Sequence, residues 1–233
     1  MKSVYCKGEG CHHSQEQATR EKKAFDFDPW RCVEHLNGEE FESISRSKFA
    51  SIIDKCIAHE GEYANDPDDR GDETKFGITG IFMEEYKEAL PGRKTIPINE
   101  LTIEDAKRLY KAMWDRYNLG YIKNKNLAYT LFDYMINTYA GTVAKRVQKI
   151  LNTRGASLKI DGHIGIKSLE AIEKSDPQWL VDEILKNRQQ SYRSIVEASP
   201  AQSKFYAGWI NRLNSIAKDA GSSLSFSPHQ ATT

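Results

Sequence analysis

The chain has neither a long hydrophobic run nor an excess of charge of one sign. No stretch of its 233 residues approaches the roughly 20 apolar residues of a membrane span, which predicts a protein that does not insert into a membrane. The first ten residues, MKSVYCKGEG, lack the apolar core of a signal peptide, so we expect synthesis in a cytoplasm. With 39% hydrophobic residues, the chain can bury one core of about 150 residues and carry a smaller appendage.

Cysteine is scarce, and its distribution is uneven. Without an export signal, disulfides are disfavoured. Three of the four cysteines lie near histidines in the first 35 residues, as Cys6-x4-Cys11-His12-His13 and Cys32-x2-His35. Two short-spaced ligand pairs about 20 residues apart are typical of a structural zinc site. The predicted ligands are Cys6, Cys11, Cys32 and His35. His12 or His13 is the alternative fourth ligand, and incidental cysteines are the alternative to a metal site.

The segment that carries these cysteines is acidic. Residues 1–45 hold six Lys or Arg and nine Asp or Glu, a net charge of −3. Such a module is a poor partner for phosphate backbones, so we expect no nucleic-acid binding. We interpret residues 1–45 as a small domain that is stapled by zinc because so few residues cannot build a core alone.

Glu60 lies at the C-terminal end of a predicted helix. Ser45 or Ser47 is expected to cap the start of the helix, and Gly61 can close it. The helix is indicated by apolar residues at helical spacing, namely Phe49, Ile52, Ile53, Cys56 and Ile57. A carboxylate at a helix C-terminus faces the negative end of the macrodipole, which together with partial burial raises its pKa towards that of a general acid.

Asp69 and Thr74 follow Glu60 on a predicted loop or hairpin, after eight and then four intervening residues. A protonated acid beside a second, solvated carboxylate is the arrangement that cleaves glycosidic bonds. The spacing therefore favours an enzyme that acts on a glycan.

The run around these residues resembles glycoside hydrolase family 108. The matching positions are Glu60-Gly61, Tyr63, Asn65-Asp66-Pro67, Asp69, Gly71, Thr74 and Gly77-Ile78-Thr79. Glu62 replaces a glycine of the family pattern, and Asp72-Glu73 replaces a Gly-Pro pair. The resemblance implies a lysozyme, often a phage endolysin or virion lysin, that cleaves the β-1,4 bond between N-acetylmuramic acid and N-acetylglucosamine.

The same resemblance implies roles for individual residues. Glu60 is expected to protonate the leaving oxygen, Asp69 to stabilise the transition state or activate water, and Thr74 to position that water. Tyr63 and Asn65 are expected to shape the cleft. Asp133 and Asn137 occupy the family's Asp-x-x-x-Asn pair, which implies a place beside the substrate groove; the alternative is that either residue bonds to a neighbouring loop.

The middle of the chain is predicted to be helical. Thr102-Ile103-Glu104-Asp105 is typical of a capping box, and a second helix is expected from Ala128 to about Tyr139. The first of these helices has an apolar stripe formed by Ala106, Leu109, Tyr110, Met113, Trp114 and Tyr117.

The last third of the chain resembles the family 3 peptidoglycan-binding domain. The matching motifs are Asp161-Gly162-His163-Ile164-Gly165 and Gly208-Trp209-Ile210-Asn211-Arg212. Residues 142–217 carry twelve basic and seven acidic side chains, a net charge of +5 that favours an anionic cell wall. Peptidoglycan is therefore the expected partner. We expect a short helix before the first motif and two helices after it, and a Ser-rich flexible tail over residues 218–233.

The sequence as a whole predicts a mainly α fold, with a lysozyme-like helical domain and a small β-hairpin at its cleft. The predicted domains are a zinc-binding module (1–45), a catalytic domain (46–141), a peptidoglycan-binding domain (142–217) and a tail (218–233). We expect an inverting muramidase that acts as a monomer and reaches the cell wall from the host cytoplasm by holin-mediated release or virion delivery. The alternatives are a lytic transglycosylase that uses the same Glu60 and a non-enzymatic wall-binding virion protein.

Overall fold

The computed structural model describes residues 38–58, 63–64, 73–93 and 95–228. Within these ranges the protein is mainly helical with a small antiparallel sheet, which confirms the predicted fold class at that level. No helix in the described ranges combines the length and the apolar character needed to cross a bilayer. The zinc ligands predicted in the first 35 residues lie outside the described residues.

The helices are α1 (Gly38–Ala58), α2 (Gly80–Tyr86), α3 (Ile103–Arg116), α4 (Lys125–Asn137), α5 (Ala140–Asn152), α6 (Ile166–Lys174), α7 (Pro177–Ala198) and α8 (Ser203–Asp219). Short 3-10 turns lie at Lys87–Ala89, Ile98–Glu100, Leu119–Tyr121 and Pro200–Gln202. The sheet has the strands β1 (Tyr63–Ala64), β2 (Thr74–Lys75) and β3 (Ile78–Thr79), in that order and antiparallel.

Helix α1 starts earlier than the sequence predicted. It begins at Gly38, so Ser45 and Ser47 are interior residues and the expectation that one of them caps the helix is wrong. The Ser45 side chain is buried, and its hydroxyl accepts a hydrogen bond of 3.2 Å from the Trp114 indole of α3. The predicted apolar stripe of α1 is buried as expected, including Cys56, which is a core residue.

Helix α3 agrees with its sequence signals. Thr102 accepts a bond from the Asp105 amide, and the Asp105 carboxylate accepts one from the Thr102 amide at 3.0 Å, which together form the predicted capping box. All six residues of the predicted apolar stripe are buried. Helix α4 begins at Lys125 behind the cap of Asn124, three residues before the predicted start, and ends at Asn137.

The C-terminal helices share one hydrophobic core with the preceding ones. The predicted boundaries at 45/46, 141/142 and 217/218 fall inside α1, α5 and α8, so the chain has no linker at these described positions. Three helices follow the Asp161-Gly162 turn, one more than predicted, because α6 precedes α7 and α8.

The segment after α8 packs back onto this helix as far as Phe226. Asn214 of α8 donates to the Phe226 carbonyl (2.9 Å) and accepts from the Phe226 amide (2.8 Å), and the Phe226 side chain is buried. The expectation of a flexible tail is therefore wrong for residues 218–226. The amide of Asn214 pairs with the backbone much as a neighbouring strand would, which holds this segment in place.

A close contact between α1 and the turn after α3 gives a test of the fold. A Cβ atom at Gly120 would lie 2.1 Å from Ser45 Oγ and 2.8 Å from Ser45 Cβ. Gly120→Ala should therefore lower the free energy of unfolding by about 1–3 kcal/mol, measured by chemical denaturation. Gly208→Ala is the control, because a Cβ there meets no atom within 4 Å and alanine is the better helix former. An equal loss in both variants would contradict this packing.

Candidate active site

A tight hairpin organises the sheet. Strands β2 and β3 are joined by Phe76-Gly77, whose φ angles of 53° and 76° are both left-handed. Two positive φ angles are the requirement of a type I′ hairpin turn, which glycine meets easily and phenylalanine does not. The Tyr110 hydroxyl of α3 donates a 2.8 Å hydrogen bond to the Phe76 carbonyl. This bond anchors the turn to the helical core.

Thr74 lies on the central strand of the sheet. It pairs with Ala64 of β1 on one side and with Thr79 of β3 on the other. Ile78, the residue of β3 that precedes Thr79, is fully buried in the core. Because side chains alternate between the faces of a strand, Thr74 and Thr79 share the face that points away from Ile78 and the core.

In the sequence, one of the other predicted catalytic residues precedes β1 and the other lies between β1 and β2. Glu60 and Asp69, with Asn65, lie outside the described residues. Tyr63 is described only through its backbone, which pairs with Lys75 in β1. The pairing of β1 with β2 therefore joins the strand that follows Glu60 in sequence to the strand that carries Thr74, and the segment with Asp69 links the two.

A groove of about 310 Å³ opens beside the hairpin. Its walls come from β3, from α2 and from the end of α4, and its lining residues include Gly77, Thr79, Ile81, Phe82, Tyr86, Asn137 and Tyr139. Ile81 and Tyr139 are 75% and 63% exposed, which is high for large apolar side chains. Aromatic and apolar walls with a few polar groups are typical of ligand sites.

The groove beside the hairpin is electrically neutral over its described walls. Burial raises the pKa of Tyr86, with a contribution from the neighbouring Glu85, so the phenol stays protonated. Glu85 is paired with Arg116 at 2.9 Å. Within the described ranges no cluster of three or more His, Cys, Asp or Glu residues could hold a metal ion.

Asn137 lines this groove, and its predicted role in substrate binding stays a prediction. Its side chain is exposed, and its amide nitrogen donates a 3.0 Å bond to the Asp133 carbonyl one turn earlier.

The sequence did not predict two exposed residues of this groove, Ile81 and Tyr139. Ile81 follows the Gly77-Ile78-Thr79 motif by two residues, and Tyr139 follows Asn137 by two. Their short distance in sequence from motif residues is the one feature that could have predicted a place at the groove.

Asp133 does not lie in the groove. Its side chain is fully buried, with Oδ2 accepting a 2.6 Å bond from Arg188 of α7 and Oδ1 accepting a 2.7 Å bond from Arg212 of α8. Arg188 also donates to the Tyr192 hydroxyl at 2.6 Å. With both carboxylate oxygens occupied inside the core, Asp133 cannot contact a substrate. The predicted substrate-binding role is replaced by a structural one.

The charge state of Asp133 is set by competing effects. Burial alone raises the pKa of a carboxyl group, but the positive charges of Arg188 and Arg212 and their hydrogen bonds prevail and hold the pKa of Asp133 below its ordinary value. The group is therefore an ionised carboxylate at neutral pH. We refer to Asp133, Arg188 and Arg212 as the buried ion cluster.

The two C-terminal sequence motifs are also structural. Arg212 of the Gly-Trp-x-x-Arg motif belongs to the buried ion cluster. In the Asp-Gly motif, buried Gln148 donates to the Asp161 carboxylate (2.8 Å) and accepts from the Gly162 amide (3.0 Å). Gly162 has a φ of 86°, and a Cβ there would lie 3.0 Å from the Gly141 carbonyl. His163, in the same motif, is exposed.

Comparison with known proteins assigns a different family to each of two consecutive segments of the chain. Residues 53–138 match the family Glycosyl hydrolase 108, and residues 143–214 match the family Predicted Peptidoglycan domain. A solved structure, "Structure of Brucella abortus SagA", shares the fold with a TM-score of 0.62 and 23% identity, over 75% of this chain and 94% of that chain. No curated protein matches the chain. Together the two family matches support a peptidoglycan hydrolase, with peptidoglycan as its partner.

The buried ion cluster predicts a pH-dependent contribution to stability. Asp133→Asn leaves two buried guanidinium groups without their carboxylate and should lower the free energy of unfolding by about 3–5 kcal/mol at neutral pH. Asp115→Asn is the control, because Asp115 is 54% exposed and its pair with Lys111 is worth only about 0.3–0.5 kcal/mol.

The sign of the pH effect follows from the lowered pKa of Asp133. A carboxyl group of lowered pKa stabilises the fold above its unfolded value of about 3.9 and loses this contribution as the pH falls through the folded value. The difference between wild type and Asp133→Asn, from denaturation at several pH values, should be constant near neutrality and shrink below about pH 4. A difference that grows on acidification would contradict the assignment.

Proposed function

We propose that this protein is a muramidase, a peptidoglycan hydrolase that cleaves the β-1,4 bond between N-acetylmuramic acid and N-acetylglucosamine. The observation that carries the proposal is the position of Thr74. This motif residue lies across the hairpin from Thr79, which lines an open, neutral, aromatic-walled groove, inside a segment that matches the glycosyl hydrolase family. The neutral groove suits uncharged sugar rings better than it suits ionic ligands.

In the proposed reaction Glu60 donates its proton to the glycosidic oxygen as the bond to the anomeric carbon breaks. Asp69 accepts a proton from a water molecule, and the water oxygen attacks the anomeric carbon from the opposite face. The Thr74 hydroxyl holds that water. Attack from the opposite face inverts the anomeric configuration, and the products are two shorter glycans with no covalent intermediate.

Substrate binding is assigned to the groove and to the segments beside it. Tyr63 and Asn65 are proposed to shape the cleft near the reacting bond. Asn137 would hydrogen-bond an acetamido group, and the exposed ring of Tyr139 would pack against a sugar. Exposure of both side chains at one groove supports these two roles.

The biological role that we propose is lysis of a bacterial host by a phage, with a monomeric enzyme released from the host cytoplasm through holin pores or delivered by the virion. The resemblance of the Glu60 to Thr79 run to family 108 enzymes, which are often endolysins, supports this role. Nothing in the proposed reaction requires a metal.

Zinc is proposed for the N-terminal module alone. Three thiolates and one imidazole, from Cys6, Cys11, Cys32 and His35, form a donor set that suits tetrahedral zinc. Bound zinc would supply folding energy to residues 1–45 and no chemistry to the reaction.

The zinc assignment predicts a separation between metal binding and catalysis. Elemental analysis should find one zinc per chain, and Cys11→Ser with Cys32→Ser should abolish it, because tetrahedral zinc requires four ligands. Hydrolysis of soluble glycan fragments should persist after chelation. Cys56→Ser is the control, since Cys56 is buried in the core and should not change the zinc content. Protein without stoichiometric zinc would refute the assignment.

The catalytic assignment predicts the effect of Glu60→Gln. General acid catalysis contributes about a hundredfold to ten-thousandfold, so this variant should fall below a tenth of wild-type lysis of outer-membrane-permeabilised Gram-negative cells while keeping its thermal midpoint. Glu62→Gln, which removes a carboxylate two residues away, should retain most of the activity. More than a tenth of wild-type activity in Glu60→Gln would exclude Glu60 as the acid.

Analysis of the wild-type products separates the remaining reaction types. Hydrolysis adds one water and leaves a reducing end, whereas a lytic transglycosylase leaves a 1,6-anhydro ring of lower mass. NMR of the first product should show the inverted anomer. An anhydro product or a retained anomer would overturn the corresponding part of the mechanism, and a chain that binds peptidoglycan without cleaving it would be a wall-binding protein.

A further inference from the structure

A second and larger groove lies in the C-terminal half of the protein. Its volume is about 640 Å³, and it runs between α6 and the loop of residues 154–158, with Trp179 at the start of α7. All of its lining residues fall within the segment that matches the peptidoglycan-binding family. Asp161, Gly162 and Arg212 of the two motifs in that segment have structural roles. A ligand surface in this segment is therefore sought among other residues.

Three cations line this second groove. Arg154 comes from the loop, and Lys167 and Lys174 come from the two ends of α6. All three side chains are exposed, and none forms an ion pair with another residue in the described part of the chain. Glu170 and Asp176 also line the groove, and the Asp176 carboxylate is engaged as the N-cap of α7. The groove thus carries three cations and two carboxylates, a net charge of +1, and the Glu170 carboxylate is the one that does not cap a helix.

The guanidinium of Arg154 is held in place by an aromatic ring. Its central carbon lies 4.0 Å from the centroid of the Trp179 ring, which is a close cation–π contact. The stacked arginine covers one face of the indole, so that face cannot receive a sugar ring. The contact with the Trp179 ring also orients the Arg154 guanidinium, whose hydrogen-bond donors match the geometry of a carboxylate.

The loop that carries Arg154 is braced from within. The Asn152 side chain accepts a 2.6 Å bond from the Leu158 amide and donates a 2.9 Å bond to the Leu158 carbonyl. Gly155 and Ser157 adopt left-handed φ angles of 86° and 54°. A loop fixed in this way presents Arg154 without a large ordering cost on binding.

From these observations we propose that the groove formed by Arg154, Lys167, Lys174, Glu170 and Trp179 binds the stem peptide of peptidoglycan. The stem peptide carries several carboxylates and a side-chain amine, which complement the three cations and Glu170. The proposal rests on peptidoglycan as the substrate of the neighbouring groove. It assigns the sugar strand to the neutral groove beside the hairpin and the peptide to the charged one.

The test measures binding separately from cleavage. Glu60→Gln protein, which should bind without hydrolysis, is co-sedimented with purified sacculi. Its binding to the soluble glycan strands that remain after an amidase has removed the stem peptides is measured by isothermal titration calorimetry. In this background Arg154→Ala with Lys174→Ala should weaken binding to intact sacculi by about five- to twentyfold, since charge-assisted hydrogen bonds are lost. Binding of this double variant and of its parent to the stripped glycan should be equal.

The control removes the same charge from another surface. Lys125→Ala with Lys218→Ala takes away two exposed cations that do not line the groove, and should bind intact sacculi as the parent does. Equal binding by the groove and control variants, equal losses on intact sacculi and on the peptide-free glycan strands, or no binding by the parent to intact sacculi would each overturn the proposal. Release of reducing ends by the chain with Glu60 intact tests the muramidase assignment independently of this result.

Discussion

The fold depends on the buried ion cluster of Asp133, Arg188 and Arg212. One carboxylate on α4 accepts hydrogen bonds from α7 and from α8, so three helices meet at a single charged group with no exposed surface. A buried ion pair is weak evidence for net stability, but separating its members is costly. Any packing that moved α7 or α8 away from α4 would leave a charge unpaired in the core. The cluster therefore selects this arrangement of the helices over its alternatives.

The buried ion cluster also affects the hairpin groove, because α4 contributes a residue to both. The helix carries Asp133 on its inner side and ends at Asn137, beside the groove. Arg188 and Arg212, which fix α4, both come from the segment that matches the peptidoglycan-binding family. That segment is thus part of the scaffold that positions one wall of the groove. The side chain of Asn118 adds a further link by donating a 2.8 Å bond to the Ile164 carbonyl.

Local signals in the sequence were sufficient for the apolar stripes of α1 and α3, for the capping box and for the hairpin. These features depend on residues close together in the chain, and the structure confirms the capping box at Thr102 and both stripes. Two of the failures, at Ser45 and at Asp133, have a common cause, which is long-range pairing. Ser45 looks like a helix cap but serves the Trp114 indole, and Asp133 looks like a groove residue but meets arginines 55 and 79 positions away. A pattern of spacing contains no information about such partners.

The two grooves differ in whether the charged side chains that line them are paired with a group of opposite charge. Beside the hairpin, Glu85 is paired with Arg116 and the buried phenol of Tyr86 stays protonated, so the described walls carry little net charge. At α6 the cations have no carboxylate partner among the described residues. A polymer of neutral sugars with charged peptide branches offers one ligand to each kind of surface. Because the helices share one core, both grooves belong to the same packed set of helices.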